Sequence, residues 1–95
     1  MLYIIHWTIS AENRNAAITR FVKTQGAPPD GLKVIGRWHA IGSHQGFGVV
    51  ETDELKVVLG WVLEWSDLMD MQVYPALTDE HAAPLLMAAA SRIGG

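Results

Sequence analysis

The chain has 95 residues, 49% of them hydrophobic and 18% charged, with a formal net charge of −3 and no cysteine. That length suits one domain spanning residues 1–95, and the apolar content excludes intrinsic disorder. The acidic balance argues against a nucleic-acid partner, and the missing thiols exclude disulfides, thiolate metal sites and a cysteine nucleophile.

Residues 2–9, rich in β-branched and aromatic types, predict a first strand. Ser10 offers a cap to a helix running to about Thr24, with Asn13, Ala17, Phe21 and the pair Ile18/Val22 at helical spacing. Gln25 to Gly31 is a loop by its glycines and prolines. Residues 32–41 and 45–52 predict two strands joined as a hairpin through Gly42-Ser43-His44. Asp53 is placed to cap a second helix, in which Leu55, Val58, Leu59 and Val62 form an apolar stripe. Residues 68–77 alternate as a fourth strand, with Pro75 at an edge or end. The alanine-rich tail predicts a first turn near Asp79–His81 and a main helix starting close to Pro84.

This order, β-α-β-β-α-β plus a terminal helix, is that of a ferredoxin-like α+β domain with a four-stranded antiparallel sheet and helices on one face. The other face is then uncovered. Strict alternation places His6, Thr8, Arg37, His39, Glu51, Asp70, Gln72 and Tyr74 on it, beside Ile4, Ile35, Phe47 and Val49. Such a mixture suits neither bulk water nor a dry core. An amphipathic cavity between two sheets packed face to face in a homodimer accommodates it, and so does a hydrogen-bonded dimer interface without a ligand.

Two resemblances add to this reading. The element order resembles the dimeric α/β-barrel superfamily, which includes small monooxygenases, isomerases and heme-degrading enzymes. Over nearly its whole length the chain also resembles DUF3303, a family of small bacterial proteins without established chemistry. That resemblance rests on Glu12-Asn13-Arg14, Gly36-Arg37-Trp38-His39, Gly46-Phe47 with Val50-Glu51-Thr52, Glu64-Trp65-Ser66-Asp67, and Pro75 through Asp79-Glu80.

The expected function is binding of a small, partly apolar organic molecule in the dimer cavity. Its chemistry would be that of a cofactor-free monooxygenase or isomerase, with His39 or His6 handling a proton and Arg37 holding an oxyanion. Glu51, Asp70, Tyr74, Phe47 and Trp65 are the candidate substrate contacts, with Trp65 at a pocket lip or a subunit contact. Trp7 and Trp38 are expected beneath the helices. A non-catalytic dimeric interaction module is the alternative. Heme or metal binding through His6 and His39, with Glu51 as a further ligand, comes third. No cofactor and no metal are assigned. No apolar run approaches the ~18 residues needed to span a bilayer, and the first residues lack a charged leader, so a cytoplasmic location without a membrane partner is expected.

Overall fold

The computed structural model describes residues 1–94. Its elements follow in the order β1 (Leu2–Thr8), α1 (Arg14–Thr24), β2 (Lys33–His39), β3 (Gln45–Glu51), α2 (Leu55–Trp65), β4 (Asp70–Ala76) and α3 (Asp79–Gly94). The four strands form one antiparallel sheet in the order β2-β3-β1-β4, the ferredoxin-like arrangement. Tyr3, Ile5 and Val50 turn to the helix side of the sheet and pack with Val58, Trp61 and Trp65 of α2. The helix side is the core, and the opposite face is open. Among the described residues no helix is long and apolar enough to cross a membrane.

Each helix departs from its expected form. α2 buries Val58, Trp61 and Trp65, while Leu55 and Leu59 stay exposed. Two indoles cover more core surface than two leucines, so the larger apolar groups decide which side faces inward. α2 starts from Glu54 without a side-chain cap bond, so Asp53 does not cap it, and Thr52 instead fixes the turn that leads into the helix. Its buried hydroxyl accepts from the Glu54 amide at 3.1 Å and donates to the Gly31 carbonyl at 2.7 Å. α1 likewise forms without a side-chain cap bond. α3 begins well before Pro84, because Thr78 caps it: the His81 amide reaches the Thr78 hydroxyl at 3.3 Å and the Ala82 amide its carbonyl at 2.9 Å. Pro84 then lies inside the helix and removes one backbone bond, on an exposed stretch where water can serve the freed carbonyl.

The decisive irregularity is in β2. Val34 pairs with Val50, yet the next pair is Gly36 with Val49, so Ile35 is one residue too many. This bulge reverses the alternation for the rest of the strand. Beyond it Arg37 and His39, paired with Gly48 and Gly46, face the helices, and Trp38, paired with Phe47, faces out.

Candidate functional site

The bulge corrects the expected placement of the candidate residues. His6 and His39 lie on opposite faces of the sheet. His6 stays on the open face, its ring stacked on Phe47 at 4.6 Å between centroids and its Nε2 3.0 Å from Gln45 Oε1. His39 sits on the helix side, edge-on to Trp7 at 5.8 Å and to Phe21 at 5.1 Å, without a hydrogen-bond partner among the described residues. Trp38 is 58% exposed on the open face, where its ring folds over Gly36; it is not beneath the helices. Trp65, expected at a lip or a subunit contact, is buried in the core.

The remaining candidates divide in the same way. Tyr74 pairs with Ile4 on the open face and donates its hydroxyl to Gln72 Oε1 at 2.9 Å. Glu51 is level with Leu2 on β1 and Asp70 with Thr8. Six residues of strand separate those levels, about 20 Å, so the two carboxylates form no acid–base pair. The set His6, His39 and Glu51 does not assemble either. Among the described residues no three His, Asp or Glu side chains come together in a metal-binding group.

What the helix side does contain is a cavity of about 230 Å³ between the sheet, α1 and α2. Its floor is Ile5, Trp7, Val34, Gly48, Val50 and Met71; Ala17, Ile18, Phe21 and Val22 of α1 and Trp61 and Trp65 of α2 close it from above. The hollow exists because the floor carries a glycine and the roof an alanine where larger side chains would meet. A Cβ built on Gly48 would find only ordinary contacts, the Gly36 carbonyl at 3.6 Å and the Trp7 ring at 3.8 Å. Gly46 differs, for the Trp7 indole lies directly against it and occupies the side-chain space. Polar lining is confined to Arg37, His39, Ser43 and Gln45.

Arg37 is already engaged. Its Nη1 donates to the Gly26 carbonyl at 2.7 Å and its Nη2 to the Gln25 carbonyl at 3.3 Å, while the guanidinium lies 4.7 Å from the Phe21 ring centroid. It ties down the carbonyls where α1 ends, at Gln25 and Gly26, both in left-handed conformation. Burial costs the cation hydration and lowers its pKa from the ordinary arginine value, although it remains charged. One flank of the roof is fixed similarly. Arg20 makes a two-pronged pair with Asp67 at 2.8 and 2.7 Å, donates to the Glu64 carbonyl at 2.9 Å and lies 5.5 Å from the Trp65 ring centroid.

Trp7, Phe21, Trp61, Met69 and Met71 belong to the cavity lining, yet only Trp7 was expected beneath the helices and none of them was expected at a site. Their one sequence signal is a set of large apolar side chains opposite the small residues Gly46, Gly48 and Ala17, and that signal is visible only once the strand register is known.

The family model "Domain of unknown function (DUF3303)" matches residues 1–90 of this sequence. The chain belongs to the DUF3303 family. No curated protein matches this DUF3303 chain. Among solved structures it is similar to a candidate antibiotic biosynthesis monooxygenase from Deinococcus radiodurans, at 12% identity over 82% of this chain and 94% of that one, TM-score 0.43. It is also similar to Rv0793 from Mycobacterium tuberculosis, at 10% identity over 81% and 95%, TM-score 0.48. At such identities the likeness is one of fold alone.

Proposed function

We infer that this DUF3303 protein binds a small, planar, largely apolar molecule between its sheet and α1, with the polar end of the molecule toward His39. The supporting observation is the cavity itself, about 230 Å³ walled by four aromatic rings and two methionines. Cavities of ~150 Å³ lined by apolar side chains accept benzene, so this one suits a fused bicyclic or a substituted single ring. Any proton transfer would fall to His39, whose imidazole is not committed elsewhere. Arg37 contributes through the shape of the wall, since both of its Nη atoms are held by the carbonyls at the end of α1. His6 is not part of this cavity.

The test uses 2-naphthoate as probe. With about 13 heavy atoms at roughly 0.3–0.4 kcal/mol each, binding of 4–5 kcal/mol is expected, a Kd of ~0.2–1 mM. Titration should quench the tryptophans lining the cavity and show one site per chain by calorimetry. Gly48→Val adds side-chain volume where a Cβ meets no tight contact. This variant should keep its circular dichroism and lose the site. Unchanged binding by Gly48→Val, or no binding at several millimolar probe, would overturn this assignment.

A second reading, a non-catalytic dimeric module, is supported by the open face, where Ile4, Ile35, Trp38, Phe47 and Tyr74 are all exposed. If two copies cover these faces mutually, Phe47→Glu separates them in light scattering while leaving the fold intact. An unaltered mass would remove this face as a contact.

A further inference from the structure

α3 has nothing to pack against. None of its residues is buried, and Leu85, Leu86, Met87 and Ile93 are 63–86% exposed. An isolated helix of this length is marginal in water, and interior Pro84 weakens it further. The whole chain shows the same deficit. A compact 10.4 kDa monomer should expose about 5,400 Å². The surface of this chain is 6744 Å². The surplus, about 1,350 Å², exceeds the ~800 Å² that each partner gives to an ordinary protein interface. The radius of gyration, 16.3 Å against about 12 Å for a compact chain of this length, points the same way.

We propose that α3 pairs antiparallel with α3 of a second copy, about a two-fold axis passing near Leu86. Each helical residue advances about 100°. On that count Ala82, Ala83, Leu86, Ala89, Ala90 and Ile93 fall within about 60° of the Leu86 direction and form an apolar seam, with Asp79, about 20° from that direction, at its N-terminal end. The alanines let two backbones approach closely, and Leu86 fills the centre. The charges select the direction. Asp79 and Glu80 occupy the first turn and Arg92 the last. Glu80 and Arg92 are equally far along the chain from Leu86, so the two-fold sets the acidic end of each helix level with the basic end of the other. A parallel pair would set like charges together. The closed two-fold contact is self-complementary and leaves the cavity beneath α1 untouched.

The chain contains no cysteine, so an introduced one reports only its own neighbours. Full-length Leu86→Cys, mildly oxidised, should form a covalent dimer, whereas Ser91→Cys on the far side of the helix should not. In light scattering Leu86→Glu should be a monomer. Equal cross-linking at both positions overturns the proposal, as does a wild-type chain that is monomeric at 100 µM. A dimer that survives Leu86→Glu but separates with Phe47→Glu also overturns it and leaves the open sheet face as the contact.

Discussion

Replacing Arg37 by methionine separates a structural from a catalytic role for the guanidinium. Methionine keeps much of the apolar stem and removes every donor. The lost bond to the Gly26 carbonyl, at 2.7 Å and partly buried, is one from a charged donor, worth about 1.5–2 kcal/mol. The longer bond to the exposed Gln25 carbonyl, at 3.3 Å, and the stacking on Phe21 add roughly 0.5 kcal/mol each. Arg37→Met should therefore destabilise the domain by about 2.5–3 kcal/mol. For a domain of this size that lowers the melting temperature by roughly 10–20 °C. Urea unfolding followed by tryptophan fluorescence, at fixed protein concentration to hold association constant, measures it directly. Arg37→Lys, which can satisfy one carbonyl but not both, should fall between. A loss below about 0.5 kcal/mol would refute the argument that Arg37 is spent on the end of α1, and would free its charge for a ligand.

Three further outcomes follow from the same geometry. Gly46→Ala forces a methyl into the Trp7 ring and to 2.7 Å from the Trp38 carbonyl, so it should cost about 2–3 kcal/mol in the same assay. A near-neutral result would mean that Trp7 is free to move. Gln25 holds φ at 60°, so Gln25→Gly should stabilise the protein by about 0.5–1 kcal/mol, seen as a higher urea midpoint. The Arg20 guanidinium holds the Asp67 carboxyl below its ordinary value of 3.8. A lowered folded-state pKa stabilises above the unfolded value and ceases to do so as the pH falls through the folded one. The melting-temperature gap between wild type and Asp67→Asn should be constant above about pH 5 and narrow as the pH falls below the ordinary carboxyl value. An equal gap at both ends would remove the ion pair as its cause.

Much of the fold was legible because its signals are local. On β1, β3 and β4 the alternation of apolar and polar residues continues without a break, so the assignment of Tyr3, Ile5 and Val50 inward and of His6, Phe47 and Tyr74 outward follows directly from the pleat. On β2 the same rule fails after Ile35, and with it the expectation that Arg37 and His39 share a face with His6. Nothing in the pattern of residues 32–41 marks the extra residue, because a bulge is a property of a strand pair and not of one strand. The stripe of α2 was misjudged for a related reason. Leucines and tryptophans both recur at helical spacing, and only the available space beneath the helix chooses between them.

The order of strands and helices, the ferredoxin-like connectivity and the side on which three strands present their residues were determined by the sequence alone, since backbone preferences and side-chain periods act over a few neighbouring residues. Which side His39 and Arg37 take, and the existence of a hollow above Gly48, were decided by tertiary structure. One unpaired residue inverts the rest of a strand, and an empty volume is created by residues far apart in the chain.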